Sequence, residues 1–234
     1  MADKWQLFVE QFITYEGYRM VLDGLQATII IAVGGLLIGI VIGTLIAITK
    51  VVPQYSVVAK VFNRISDIYV GFFRGTPMVV QLLLTYYVLL PAMNVTIDNA
   101  VVVAVIVFGM NSGAYVSEIM RSGIQSVDQG QLEAGRALGL SYPTAMLRIV
   151  IPQAIKNIIP TLGNEFIVLV KETSVTSFIT VVDLTKAFRG IASANYEYII
   201  PYLMLAAFYL VIVIIITIGI RLIERRLAKS DRSR

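Results

Sequence analysis

The sequence predicts an all-α integral membrane fold of about five transmembrane helices, with one long polar segment between the third and the fourth. Three observations predict it. The 234 residues are 57% hydrophobic and only 15% charged, where soluble domains carry about a quarter charged, and mean hydropathy is +0.80. Apolar stretches recur at the length of roughly 20 residues that a helix rising about 1.5 Å per residue needs to cross ~30 Å of hydrocarbon. Basic residues gather beside alternate stretches, as topogenic charge does. A chain this apolar cannot hide its surplus in one aqueous core, so lipid serves as solvent for much of its surface. The absence of Cys and His excludes disulfides, thiolate or imidazole metal sites, Cys nucleophiles and His-dependent triads. The net charge of +4 is scattered beside the spans, which argues for topology and against nucleic acid. The N-terminal stretch has no basic region leading into an apolar run and cleavage site, so it does not read as a cleavable signal peptide.

The spans follow in order. The first covers about residues 25–49, where Gly35, Gly39, Gly43 and Ala47 recur every four positions. Such a stripe lets helix backbones approach closely, and packing within the subunit is expected, with a dimer seam as the alternative. A more polar, partly amphipathic stretch, residues 54–69, leads into the second span at about 68–90. Met78–Leu90 alone gives only about 20 Å of helix, so part of Ile68–Gly75 must also lie at membrane depth, and Gly75-Thr76-Pro77 reads as a break followed by a new helix start. The third span is expected at about 97–120, the fourth at 152–170 and the fifth at 199–222. Residues 1–234 read as one transmembrane domain, with no internal repeat and no second, soluble unit.

Charge orients the set. Lys50, Lys60 and Arg64 follow the first span, Arg121, Arg136, Arg148 and Lys156 the third, and Arg221, Arg225, Arg226, Lys229, Arg232 and Arg234 the fifth. No Lys or Arg falls between Arg74 and Arg121. The positive-inside rule then puts the loop near Pro91–Asn99 outside, the C-terminus in the cytoplasm and the N-terminus outside. Lys171, Lys186 and Arg189 make the loop after the fourth span the weakest part of this assignment.

The cytoplasmic segment, residues 122–151, carries local helix chemistry. Asp128 or Ser126 suits a helix start through Gln131–Leu138, and Gly139 suits its left-handed end. Ser141 and Pro143 suit the cap and first turn of the next helix. The short helix would offer Glu133, Ala134, Arg136 and Ala137 to a partner.

Glu133-Ala134-Gly135, then Gly139, then Ile149-Val150-Ile151-Pro152 resembles the EAA loop of bacterial ABC importer permeases, with Gly135 for the second Ala and Ile151 for Leu. Phe73-Arg74-Gly75-Thr76-Pro77 with Gln81, Ala114-Tyr115-Val116-Ser117-Glu118-Ile119 with Arg121, Leu162-Gly163-Asn164-Glu165-Phe166 and Lys171-Glu172-Thr173-Ser174 resemble the polar amino acid uptake branch, of the histidine and glutamine permease type. The resemblance implies a type I ABC importer-like fold, in which Glu133, Ala134, Arg136, Gly139 and Leu140 form a coupling helix seated in a separate ATPase. It implies an ATP-binding subunit dimer, a second permease copy (identical or homologous), an extracytoplasmic amino acid-binding protein and a location in the bacterial inner membrane. The chain has no G-x-x-x-x-G-K-[ST] loop, so it is not expected to be an enzyme or to hold a cofactor. ATP and Mg belong to the partner.

Charged groups inside a span cost about 2.5–3.5 kcal/mol on the translocon scale, so each needs a reason. Glu118 has Arg121 one turn on. Glu165 has no charged neighbour at helical spacing, so its partner comes from another helix, a lined cavity or the substrate, and Glu165 is expected in the permeation pathway. Arg74, beside the helix start at Pro77, either binds a substrate carboxylate or reaches the cytoplasmic interface. Gln81 and Thr85 continue the face of Pro77, and Asn111, Ser112 and Tyr115 cluster in the third span. Each group suits a pore wall or interhelical hydrogen bonding equally well. Two further readings exist: an ion-coupled secondary amino acid transporter with Glu165 as the ion site, which lacks a repeated pair of broken helices, and a non-transporting scaffold, which leaves Glu165 unexplained.

Overall fold

The structure is a computed structural model that describes residues 2–51 and 55–232, with side chains described for 3–51 and 55–227. Gln54, at the start of the lead-in stretch, and the side chains of Lys229, Arg232 and Arg234, counted above for orientation, lie outside these. No strand occurs among the described residues. In chain order the α-helices are α1 (Ala2–Val9), α2 (Gly17–Val51), α3 (Val57–Gly75), α4 (Met78–Leu84), α5 (Leu90–Ala92), α6 (Ala100–Gln125), α7 (Gln129–Ala137), α8 (Tyr142–Ala145), α9 (Ile151–Glu172), α10 (Leu184–Ala194) and α11 (Ile199–Arg232). Wider turns of five residues continue α1, join α4 to α5 and join α8 to α9, and a tighter 3₁₀ segment, Thr173–Ile179, follows α9.

Helix occupies most of each expected span, but α6 begins only at Ala100 and the second is broken at Thr76-Pro77. By length and hydropathy α2, α6 and α11 can each cross a membrane alone, and the number rises to four if α3 and the helix Met78–Ala92 count as one span. That pair is bent by 105°, so the second expected span is an elbow, with its corner at the Thr76-Pro77 step. α9 occupies the fourth expected span but falls outside the purely apolar set, because Gln153, Lys156, Asn157, Thr161, Asn164 and Glu165 interrupt it.

The centre of the bundle is α2 against α6, with α9 across them. Gly35, Gly39 and Gly43 face α6 so closely that an added Cβ would stand 2.9 Å from Phe108 Cβ, 2.7 Å from Ser112 Oγ and 2.6 Å from Val116 Cγ1. Gly109 and Gly113 of α6 return the arrangement, receiving Ile38 and Ile42. The small-residue stripe therefore packs inside the subunit. In lipid no hydrophobic drive presses helices together, so this close approach and its dispersion contacts do it. Ile31, Leu82, Val103, Phe108, Leu169 and Ile179 complete the central core. A second cluster ties α1, α2, α10 and α11 together through Phe8, Val21, Leu184, Phe188 and Ile200. Asp183 caps α10, accepting from the backbone N–H groups of Thr185 and Lys186 at 2.9 and 3.0 Å.

α3 is joined to the bundle by a thin stripe, Ser66, Val70 and Phe73. At its far end lies a charge cluster. Lys50 Nζ donates to Glu118 at 2.8 Å and stands 3.5 Å from Asp67, and Arg121 holds the other oxygen of Glu118 at 2.7 Å. Glu118 thus has the expected helical neighbour and also a cation from α2.

Candidate functional site

The elbow creates the site. Pro77 has no N–H and the chain leaves α3 at Thr76 in an extended conformation, so carbonyls at the end of α3 lose their helical donors. Two amides replace them. Gln81 Nε2 lies 2.9 Å from the Phe73 carbonyl, 3.0 Å from that of Thr76 and 2.8 Å from Thr76 Oγ1. Asn111 Nδ2 of α6 reaches the same Phe73 carbonyl at 3.2 Å and Gln81 Oε1 at 2.9 Å. With no water available in a bilayer core, freed backbone groups must be satisfied by the protein, and these two side chains do so.

Beside this corner is a cavity of about 670 Å³, lined by Arg74–Val79 of the elbow, Asn111 and Tyr115 of α6, Glu165, Val168, Leu169 and Glu172 of α9, and Val175. The volume is in the range of small-molecule pockets, about 300–1,000 Å³. Arg74 places its guanidinium 5.5 Å from the centroid of the Tyr115 ring, within cation–π range. Glu165 is 8% exposed and accepts a hydrogen bond from Ser112 Oγ at 3.0 Å. Its partner is thus a neutral hydroxyl from another helix, together with a lined cavity.

The candidates separate. Arg74, Asn111 and Glu165 share the cavity wall, and Ser112 stands behind Glu165, fully buried. Gln81 is bound into the elbow. Thr85 Oγ1 donates back to the Gln81 carbonyl of its own helix at 2.8 Å and is absent from the wall. Asn164, beside Glu165, is exposed. Glu172 lines the cavity although no role for it was read from the sequence. Its spacing, seven residues after Glu165, puts both on one helix face and carried that information.

The polar segment folds as its local chemistry directs. Asp128 caps α7 by accepting from Gly130 N, and Gly139 ends it at φ +85°. Leu140 N–H bonds to the Gly135 carbonyl and Gly139 N–H to that of Arg136, which is a Schellman ending. Arg136 Nη1 adds a bond to the Leu140 carbonyl at 3.0 Å. Ser141 caps α8, with Pro143 in its first turn. Gly135 alone is buried, and its departure from the Glu-Ala-Ala pattern has a steric counterpart: a Cβ there would stand 2.7 Å from Ile149 Cδ1. Glu133, Ala134, Arg136, Gly139 and Leu138 are exposed, Leu138 by 83%, while Leu140 is half-buried.

This arrangement, apolar helices around a cavity with one short exposed helix in the segment between α6 and α9, is the fold of type I ABC importer permeases. It superposes with a TM-score of 0.82 on a chain from the crystal structure of an amino acid ABC transporter with histidines, at 39% identity over 91% of this chain and 96% of that one. An inward-facing MetNI methionine ABC transporter chain, at 16% identity, shares the fold with a TM-score of 0.74 over 89% of this chain and 96% of that one. The arginine transport system permease protein ArtQ of Bacillus subtilis (strain 168) is 36% identical over 211 residues, 90% of this chain and 94% of ArtQ. A relative from Rickettsia prowazekii (strain Madrid E), whose name refers to glutamine transport, is also 36% identical, over 91% of this chain and 95% of its own length. The chain belongs to the family of binding-protein-dependent transport system inner membrane components, which matches residues 35–229.

Proposed function

We propose that this chain is the membrane-spanning permease subunit of an ATP-driven importer of polar amino acids in a bacterial inner membrane, its N-terminus outside and its C-terminus cytoplasmic. The observation that carries the reading is α7: a helix fixed at both ends by its own caps, yet with nearly all of its outer face exposed, the apolar Leu138 included. A helix capped at both ends, packed on one side through Gly135 and open on the other, suits the groove of a separate ATPase dimer. Closure of the ATPases on ATP would tilt α9 through α8 and so move one wall of the cavity. A second permease copy, identical or homologous, and an extracytoplasmic binding protein complete the assembly. Within the cavity, Glu165 would hold the substrate ammonium and Arg74 its carboxylate, with Asn111 and Ser112 positioning these contacts and Gln81 supporting the elbow, while Thr85 bonds only within its own helix.

The test is proteoliposome uptake by the complex of this chain with its ATPase. The Gly139→Val variant should insert normally and lose ATP-driven uptake while hydrolysis by the ATPase persists. Ion-gradient-driven uptake by vesicles holding this chain alone would replace this reading with the secondary-transporter one.

A further inference from the structure

The first half of α3 is helical by its own local chemistry, and the bundle leaves it uncovered. Ser56 caps the helix by accepting from the Ala59 N–H, yet none of residues 57–65 is buried. The buried residues of α3 come later, at Ser66, Val70 and Phe73. Contacts along the helix give its direction. Asp67 is level with Lys50 near the end of α2, and Phe73 is level with Asn111 in the middle of α6. So α3 climbs into the membrane from the end of α2, and residues 57–65 lie on the headgroup side of that end.

The sequence sorts α3 into three faces. At about 100° per residue, Val57, Val61, Phe62, Ile65, Ile68 and Phe72 fill an arc of about 140°, and each is 51–76% exposed. The buried stripe lies past one edge of this arc. Past the other edge, within about 60°, come Lys60 and Arg64. Both are exposed, and neither enters a salt bridge or side-chain hydrogen bond among the described residues. Asp67, the one acidic residue of α3, already stands 3.5 Å from Lys50. The two free cations are one turn apart, about 6 Å along the axis.

A helix that lies at a membrane surface sinks its apolar face to the acyl boundary and keeps its cations among the headgroups, which Lys and Arg reach from the border of such a face. The free charge here has one sign. A negative headgroup layer complements it, whereas a twofold contact of this face with a second copy sets like charges against each other. We propose that residues 57–65 form a docking surface for anionic phospholipid, with the apolar arc at the acyl boundary and Lys60 and Arg64 on the lipid phosphates. The contact fastens the free end of the elbow to the membrane surface. Each basic residue beside an anionic surface favours binding about fivefold, and the pair roughly 25-fold.

The test is hydrogen exchange on the full-length chain in nanodiscs, made either of phosphatidylcholine alone or with about a third phosphatidylglycerol. The amides of residues 59–65 should exchange about fivefold more slowly, or slower still, when phosphatidylglycerol is present. Exchange in α2 and α11 should not change, and added salt should erase the difference. The K60Q/R64Q variant should keep the thermal midpoint of the unmodified chain and exchange at the phosphatidylcholine rate in both discs. The K60R/R64K variant, which keeps both charges, should retain the slowing. Equal exchange of residues 59–65 in the two kinds of disc overturns the proposal, as does slowing that survives in K60Q/R64Q. Protection that needs two copies per disc and ignores phosphatidylglycerol also overturns it, and gives the face to a second copy.

Discussion

Gln81 sits where a proline has removed a backbone donor, and its amide occupies the two carbonyls left behind. Gln81→Leu would strand polar groups away from water, and an unsatisfied buried group costs about 1–3 kcal/mol. A lower thermal midpoint in detergent is the expected readout. Thr85→Val should change that midpoint little, because its hydroxyl only supplements a bond within its own helix; an equal loss from both variants would contradict this division. Glu165 has the opposite character. Glu165→Gln keeps the size and the contact to Ser112 and removes the charge, so folding should persist while substrate-driven transport falls by an order of magnitude or more. Uptake equal to the unmodified chain would remove Glu165 from the pathway.

At the scale of elements, glycine has two separate uses. In α2 it admits another helix. A Cβ at position 43 would stand 2.8 Å from the backbone nitrogen of Ser117, which cannot swing aside, so Gly43→Ala should cost about 1–3 kcal/mol as overpacking does, seen as reduced thermal stability. At position 139 nothing lies within 4 Å, and the barrier to a side chain is the left-handed backbone, worth about 1–2 kcal/mol. Gly139→Val should therefore spare the bundle and deform only the end of α7. The helix ends were legible because their causes are local: Asp128, Gly139, Ser141 and Pro77 each act on backbone within a few residues. The Lys50–Glu118 contact was not, because it joins positions 68 apart and depends on how α2 lies on α6. Lys50→Ala removes a charged hydrogen bond worth about 1.5–3 kcal/mol and should loosen α3 in hydrogen exchange more than α11.

For the whole molecule, the positions of the long helices and of the short exposed α7 follow from hydropathy and capping, whereas the cavity does not. It needs a 105° turn whose presence Gly75-Thr76-Pro77 announced and whose angle it did not. α1 is joined to the rest by Phe8 in the core and by the pair Lys4–Glu197 at 2.8 Å. Hydrogen bonding from Lys4 holds the Glu197 carboxyl below the usual carboxylate range. A carboxyl whose folded pKa is depressed contributes stability that is present above its unfolded value and lost as pH falls through the folded one. Acid should accordingly release α1 before the helices at the centre, visible as faster amide exchange in Ala2–Val9 at low pH. Glu197→Gln should abolish that pH dependence.

The bracing of the corner at Pro77 has a mechanical corollary. One carbonyl, that of Phe73, receives amides from both α4 and α6, so straightening the bend would strip two donors from an oxygen that lipid cannot supply. The corner behaves as a bracket and not as a hinge. The same carbonyl is also tied to Asn111 of α6, so the two arms travel with α6 as one piece, and a motion that carries cargo through has to come from the facing wall, α9.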